Sequence, residues 1–243
     1  YDGDEPLSPS PLITDIPLPE NKQPWQLLNE QSEAQIALEQ IIDDRAPALK
    51  TPALIAGGAG LLKRQSACPF QAFAMHRLQA YNPEPLQAGI SALDRGNLMH
   101  EVLEAVWLEL KTYEQLLALS ESEIEQLITE CADRAVKRLQ AKRQLGDKLC
   151  ALEIERLVRR VNSWLGEEKQ RAPFSVLDQE KTLNLQLEGL QLQLRIDRID
   201  CLSDGKTLAV IDYKTGLTSL SSWQLPQLDE PQVPLYATAL ANV

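Results

Sequence analysis

The sequence of 243 residues lacks any run of eighteen apolar residues, which excludes a membrane-spanning helix. A signal-peptide pattern is also missing. Histidine is scarce, since only His76 and His100 occur, and this excludes a histidine-rich zinc site. The first residue is Tyr1 rather than methionine, and we therefore expect the chain to be a fragment of a longer protein.

Cysteine is sparse as well, and its spacing carries no metal or disulfide signature. None of the four cysteines belongs to a CxxC motif or lies close to another; they are Cys68, Cys131, Cys150 and Cys201. This spacing favours reduced, mostly buried thiols in a cytoplasmic protein over a disulfide framework or a zinc site.

Acidic residues outnumber basic ones, and the net charge of −11 argues against a protein that coats nucleic acid non-specifically. The charge is uneven: residues 1–60 hold ten acids and three bases, whereas residues 131–171 hold eleven bases and six acids. The basic segment is either a solvated helix face or a surface that contacts phosphate. Apolar residues make up 44% of the chain and charged residues 24%, which is typical of a globular protein with one large or two small domains.

Proline content and periodicity divide the chain into two parts. Residues 1–56 are expected to form an extended proline-rich linker with one helix over 26–42, and residues 57–243 to form the main domain, truncated at its C-terminus. Prolines and glycines mark a loop between the two parts, at Pro47, Pro52, Gly57 and Gly58. Ser120 with Glu123 matches the capping box that opens a helix. Helical periodicity within the main domain predicts helices over 69–78, 97–110, 120–143, 146–166 and a last one from 231 through 236.

After Pro173 the apolar period changes from 3.6 to 2, which indicates β-strands. Turn signals at Glu188-Gly189 and at Asp204-Gly205 separate three such strands. The pattern therefore predicts a three-stranded antiparallel meander that follows a helical half, and hence a mixed α/β (α+β) fold.

The lengths of the two turns decide which residues face each other across the meander. A symmetric second loop places Asp197 opposite Asp212, and a two-residue first turn places Glu180 opposite Asp197. Carboxylates on opposed residues, whose Cβ atoms lie about 5 Å apart, repel each other unless a cation relieves them. Lys214 points to the same side of the sheet as Asp212. Because hard oxygen ligands favour Mg²⁺ or Mn²⁺, the row of three acids predicts a site for one of these ions.

Two alternatives remain open for these acids. A loop of odd length at either turn would shift the strands by one residue and break the row. The acids equally suit a surface sheet face on which they form salt bridges, with Arg195 and Arg198 as the available partners.

His100 is a further candidate ligand. On a helical wheel it falls at the edge of the apolar stripe, beside Trp107 and Glu104. That position suits either a metal ligand or a histidine that packs at the edge of the core.

Five stretches of the sequence occur together in the order that is typical of one protein family. They are SACPFQAFAMHRL (66–78), RGNLMHEVLEAVW (95–107), LRIDRID (194–200), VIDYKTG (210–216) and EPQVPLYATAL (230–240). A single Asp-x-Lys motif is weak evidence, but all five in order are specific. Together they resemble the PD-(D/E)xK nuclease superfamily, in particular its RecB/AddB-like branch, and the resemblance implies a restriction-endonuclease-like core with a mixed sheet flanked by helices.

The resemblance also implies roles for individual residues. The implied metal ligands are His100, Asp197, Asp212 and the backbone carbonyl of Tyr213. Lys214 would act with Asp197 and Asp212 in catalysis by positioning the attacking water and stabilising charge on the phosphate. Gln232 and Tyr236 would contact DNA or brace the site. Glu180 matches an acidic position that is often seen upstream.

The sequence departs from the family pattern at two places. Arg195 and Ile196 stand where the first acidic motif often has glycine and proline, although Asp197 is kept. Some relatives also carry an iron–sulfur cluster with one upstream cysteine, at the position of Cys68, and three cysteines beyond the tyrosine motif. The chain ends seven residues after Tyr236, so no complete cluster is expected, and Cys68 is expected to be a core residue.

The function implied by the resemblance is that of a Mg²⁺- or Mn²⁺-dependent deoxyribonuclease, an exonuclease of DNA repair or recombination. Its expected partners are DNA and a helicase-like region, either upstream in the same polypeptide or in a helicase–nuclease complex, with no membrane contact. A rival interpretation is a nuclease-like module without catalysis, which guides DNA or docks a protein. In a third, an interaction domain carries these acids as ordinary surface charge and binds no metal.

Overall fold

The computed structural model describes residues 48, 53–55, 57–82, 89–216, 218–223 and 229–241. The predicted proline-rich linker and the predicted helix over 26–42 lie outside these residues.

Seven α-helices occur within the described residues. They are α1 (Gly58–Ala67), α2 (Pro69–Ala72, extended by a π-helical turn over Phe73–Arg77), α3 (Ala92–Leu110), α4 (Tyr113–Ala118), α5 (Glu121–Arg143), α6 (Asp147–Glu168) and α7 (Gln232–Ala241). None of the helices in this part of the chain has the length and apolar character needed to cross a bilayer.

Helices α3 and α5 begin at side-chain caps. The predicted capping box at α5 is confirmed: the Ser120 hydroxyl accepts from the Glu123 backbone N–H, and the Glu123 carboxylate accepts from the Ser120 N–H. Helix α3 starts five residues before the predicted Asn97, because the Ser91 hydroxyl accepts from the Asp94 N–H at 3.0 Å and caps the helix there.

In the part of the chain that the structure describes, four strands form one mixed sheet: β1 (Ala53–Leu54), β2 (Phe174–Leu187), β3 (Leu190–Leu202) and β4 (Leu208–Ile211). Strand β3 pairs along its whole length with antiparallel β2. Its other edge pairs with parallel β1 near its start and with antiparallel β4 near its end. The predicted three-stranded antiparallel meander and the mixed α/β fold are therefore confirmed, whereas the short strand β1 was not predicted.

Both turns of the meander follow their sequence signals. Glu188 and Gly189 have φ values of 46° and 81°, as a two-residue hairpin turn with a right-handed strand twist requires. In the second turn, the Asp204 carboxylate accepts two backbone N–H bonds from residues further along the loop, at 2.9 and 2.8 Å. These contacts fix the loop lengths, and the loop lengths fix the strand register.

Helices cover the sheet on both faces, and each face has its own apolar core. Helices α3, α5 and α6 form one core around Trp107, which is fully buried. Helices α1 and α7 form the other, against alternate residues of β3 such as Leu192 and Leu194. The sheet is therefore held from both sides at the strands that carry the predicted acids.

Helix α1 was not predicted, and it begins at Gly58, the last residue of the predicted loop. The glycine-rich start of this segment has low helix propensity, and Gly57 and Gly58 have φ values of 123° and 49°. A Cβ atom on Gly58 would lie 2.7 Å from the Gln193 carbonyl oxygen of β3, so only glycine permits this approach. Tertiary packing, with Leu61 buried beneath the helix, overrides the local preference.

Substituting Gly58→Ala is expected to destabilise the chain by about 1–3 kcal/mol, because alanine at positive φ is strained and its Cβ would displace α1 from β3. The matched control is Gly166→Ala in α6, where the added Cβ meets nothing within 4 Å and helix propensity favours alanine by up to about 1 kcal/mol. Urea denaturation of both variants measures the difference. Equal stability of the two variants would contradict the close approach.

The prediction that Cys68 is a core residue is wrong, because its side chain is exposed. Cys68 is the extended residue, with φ −159° and ψ 105°, that joins α1 to α2, and neither helix covers it. Cys131 and Cys150 are buried and Cys201 is partly buried. All four cysteines lie within the described residues and are free thiols.

Candidate functional site

Strand β3 changes the direction of its side chains at Asp197. Ile196 and Ile199 contact the same apolar core although they are three residues apart, whereas residues on one face of a regular strand are two apart. Across from this point, Glu180 of β2 has φ 49°, in the left-handed region. The β2–β3 ladder is in the predicted register from Asp178 to Leu187, although Glu180 and Asp197 are not themselves a ladder pair. A register shift between Val176 and Asp178 moves the pairs nearer the start of β2 by one residue. The side chains of Glu180 and Asp197 therefore do not follow the alternation of a regular strand.

Three potential ligand atoms converge at this irregularity. His100 of α3, Glu180 of β2 and Asp197 of β3 each bring one nitrogen or carboxylate oxygen to within 4.8 Å of the other two. His100 and Glu180 are half-buried, and Asp197 is 9% exposed. Two residues predicted from strand register and one predicted from a helix edge therefore lie in a single cluster.

The imidazole of His100 contacts Asp197. Its Nδ1 lies 3.4 Å from Asp197 Oδ2, and this carboxylate raises the pKa of His100 although burial acts to lower it. The Tyr213 backbone raises the pKa of His100 further.

Asp212 and Tyr213 directly follow strand β4 and lie beside the cluster. Arg198 pairs with Ile211, which confirms the register that places Asp197 across from Asp212. The Tyr213 N–H donates to Asp197 Oδ2 at 2.7 Å. The Asp212 carboxylate is not a member of the group of three ligand atoms that lie within 4.8 Å of one another. The ladder ends at Ile211, and the chain beyond it is no longer held in the pleat.

Asp212 belongs instead to a hydrogen-bonded group with Lys214, Gln232 and Tyr236. Its Oδ2 lies 2.7 Å from Lys214 Nζ, and its Oδ1 accepts from Gln232 Nε2 at 2.6 Å. The same Gln232 accepts from Lys214 Nζ at 2.8 Å and donates to the Tyr236 hydroxyl at 2.6 Å. The first turn of α7 thereby connects both residues of the Asp-x-Lys motif.

Burial shifts the titration of two members of this group. It raises the pKa of the Asp212 carboxyl, against the nearby Lys214 ammonium, which lowers it. Burial likewise raises the pKa of Tyr236 to about 12, so this residue remains a neutral hydroxyl that can hold the Gln232 amide.

The two arginines proposed as partners of the acids behave differently. Arg195 is exposed and forms an ion pair with Glu180. Arg198 contacts none of the site acids, contrary to that alternative. It is fully buried and donates from Nε and Nη2 to Asp200 at 2.7 Å each, because the change of direction at Asp197 turns it into the opposite core.

Arg198 forms the centre of a buried ionic network behind the site. Its Nη2 donates to Glu168 of α6 and its Nη1 to the Tyr213 hydroxyl, both at 3.0 Å. The guanidinium lies 4.1 Å from the Trp107 ring centroid. Arg171 contacts Glu168 at 2.5 Å and completes the network. The sequence signal for this network is the pair of charged residues Arg198 and Asp200 in an apolar strand, which by itself does not reveal the partners on α6.

A cavity of about 360 Å³ opens beside Gln232 and Tyr236. The glycine-rich start of α1 forms one wall, and Arg195 of β3 forms part of another. A cleft between α1, β3 and α7 therefore adjoins the hydrogen-bonded group of Gln232 and Tyr236.

The donor set in the cluster fits a divalent cation. It combines one imidazole nitrogen and two carboxylates, and the adjoining Asp212 offers a third carboxylate. Oxygen-rich sets of this kind suit Mg²⁺ and Mn²⁺. No cysteine takes part in it.

Comparisons with known proteins agree with this geometry. Residues 60–243 match the model of the PD-(D/E)XK nuclease superfamily. The chain is also 29% identical over 195 residues to the B-type subunit of the ATP-dependent helicase/deoxyribonuclease of Lachnoclostridium phytofermentans. That similarity covers 75% of the chain and 16% of the relative, so the chain corresponds to a small part of that protein.

Proposed function

The chain belongs to the PD-(D/E)XK nuclease superfamily, and on that premise we propose that it is a divalent-metal-dependent DNA nuclease domain. The proposed reaction is hydrolysis of a phosphodiester bond by water. The observation that carries the proposal is the convergence of His100, Glu180 and Asp197 within 4.8 Å, with Asp212 and Lys214 adjoining. A scaffold has no need for this costly grouping of acids around a histidine.

The residues that would hold the ion are His100, Asp197, Asp212 and the Tyr213 carbonyl, with Glu180 as an additional acid. When bound, a Mg²⁺ or Mn²⁺ ion supplies a Lewis acid that activates water and neutralises phosphate charge. Asp197 is oriented for this role, since its Oδ2 accepts from the Tyr213 N–H and contacts His100. Its low exposure keeps the lone pairs directed into the cluster rather than into solvent.

Lys214 is assigned the role of positioning the attacking water and stabilising charge on the phosphate. Asp212 and Gln232 fix its ammonium group from two sides, at 2.7 and 2.8 Å. The Lys214 side chain is still 40% exposed, so a phosphate at the site can reach it from solvent. A fixed ammonium group beside the reacting phosphate needs little reorganisation when charge develops.

Gln232 and Tyr236 are assigned the role of bracing this pair. Both polar ends of the Gln232 amide are engaged within the site, and Tyr236 is only 3% exposed. Bracing is therefore better supported for Tyr236 than the alternative of direct DNA contact.

The biological setting follows from the relative's name and remains a proposal. That relative is a helicase/deoxyribonuclease subunit, and we propose that this chain acts on DNA, as an exonuclease, in repair or recombination. Its proposed partner is a helicase-like region of the same polypeptide or of a complex. The proposed compartment is the cytoplasm, where the free thiols remain reduced.

End-labelled linear DNA and circular DNA, each incubated with Mg²⁺, Mn²⁺ or EDTA, test the proposal. We expect cleavage of the linear DNA with either metal, none in EDTA, and resistance of the circle if the enzyme is an exonuclease. Calorimetric titration of Mn²⁺ into the chain, with Asp197→Ala as the comparison, separates the rival interpretations. Metal binding without cleavage would indicate a catalytically inactive module, and absence of both would indicate ordinary surface acids.

A further inference from the structure

One flank of helix α6 carries a regular row of side chains outside the candidate centre. Arg156, Arg160 and Trp164 recur at every fourth position, which places them on the same side of the helix. This flank adjoins the start of α3, because Glu153, one turn earlier, lies 3.8 Å from Arg95. The row therefore runs along the junction between α6 and the helix that carries the histidine of the cluster.

Trp164 stands at the end of this row next to the site. Its ring contacts the Tyr213 ring edge-on, with centroids 5.8 Å apart, and Tyr213 in turn contacts His100 at 5.9 Å. The neighbouring Leu165 is buried in the core, yet Trp164 remains 41% exposed. A large aromatic surface thus faces solvent one ring away from the proposed metal ligand.

Arg160 stands one turn before Trp164 with an unneutralised charge. It is exposed and has no ion-pair partner among the described residues. Its neighbour Arg156 contacts Glu153 at 2.5 Å, and Arg171 contacts Glu168 at the same distance, so much of the predicted basic segment is internally paired. The positive charge available to a ligand on this flank is therefore concentrated beside the exposed indole.

We propose that Arg160 and Trp164 form a strand-binding track, on which one unpaired DNA strand lies as it approaches the candidate centre. A base stacks on the exposed face of Trp164, and a phosphate pairs with the Arg160 guanidinium. Stacking tolerates any sequence because every base has an aromatic face. Duplex DNA keeps its bases inside and offers this flank only phosphates. The proposal rests on the proposed nuclease function and adds the residues that select an unpaired strand.

The test is the affinity of the chain for a fluorescent single-stranded oligonucleotide and for the matching duplex, both measured in EDTA so that no cleavage occurs. Trp164→Ala is expected to weaken single-strand binding about tenfold, the effect of losing one stacked base, and to change duplex binding less than about twofold. Trp164→Phe keeps an aromatic face and should retain most of the affinity. Arg160→Ala should weaken binding to both and lower the salt dependence by about one phosphate contact.

Two exposed residues elsewhere on α6 provide matched controls. Arg159→Ala removes the same charge one residue away, and Leu152→Ala removes an exposed apolar side chain; both are expected to bind DNA as the wild type does. Single-strand affinity unchanged in Trp164→Ala, or lost equally in Arg159→Ala, would overturn the track. Because binding is measured without metal, that outcome is separate from failure of the nuclease proposal, which would appear as a wild-type chain that cleaves no DNA.

Discussion

Replacing Asp212 by asparagine is expected to lower the rate of Mg²⁺-dependent DNA cleavage by about a thousandfold or more, the scale of losing a ligand that helps a metal stabilise transition-state charge. The fold should survive. Asparagine keeps the oxygen that accepts from Gln232, and burial already raises the pKa of Asp212, so a neutral side chain suits this position. Single-turnover cleavage rates and thermal unfolding of the metal-free protein measure the two effects separately.

Lys214→Ala tests the lysine of the Asp-x-Lys motif. The substitution is expected to slow DNA cleavage by about 100- to 1,000-fold, as the loss of one fixed charge-stabilising group does in other enzymes. Lys206→Ala is the control, since Lys206 is an exposed lysine in the turn before β4. Full activity in Lys214→Ala, or an equal loss in Lys206→Ala, would show that the Asp-x-Lys assignment is wrong.

Substituting Arg198→Met is expected to destabilise the folded chain by about 3–5 kcal/mol, because it leaves buried carboxylates without their main partner. Asp200 and Glu168 are 0% and 1% exposed, and Glu168 Oε1 already has no hydrogen-bond partner among the described residues. Arg171 still contacts both acids, which places the expected effect toward the lower end of that range. Urea denaturation at neutral pH measures the loss.

Neutralising Glu168 and Asp200 tests whether the stability lost in Arg198→Met comes from their uncompensated charges. Adding Glu168→Gln and Asp200→Asn to Arg198→Met should recover part of the lost stability, since the uncompensated charges are then removed. Arg159→Met, on the exposed side of α6, is the matched control and should change stability by less than about 0.5 kcal/mol. A single variant Arg198→Met as stable as this control would contradict the ionic network.

The sequence predicted the meander well because turn chemistry acts locally. Glu188-Gly189 permits the positive φ values of a two-residue turn, and Asp204 caps its own loop through neighbouring N–H groups. Loop length then fixes strand register without reference to the rest of the molecule. This is why the turn signals alone suffice to place Asp197 and Asp212 across from each other.

Local signals failed where packing between distant segments decided the outcome. Gly57 and Gly58, at the start of α1, predict a loop. The helix forms because it packs against the Gln193 backbone and buries Leu61. Cys68 was predicted to be a core residue, but it lies in the connection between α1 and α2, where it is exposed. Neither result follows from propensity or periodicity.

For the candidate site, the sequence by itself determined the inventory of chemical groups and the register of the strands that carry the acids. Only the tertiary structure decided that His100 joins Glu180 and Asp197, that Asp212 turns instead toward Lys214 and Gln232, and that Arg198 lies in the core. The physical reason is that register is set by short-range turn geometry, whereas the meeting of α3, β3 and α7 depends on how separately formed elements bury their apolar faces.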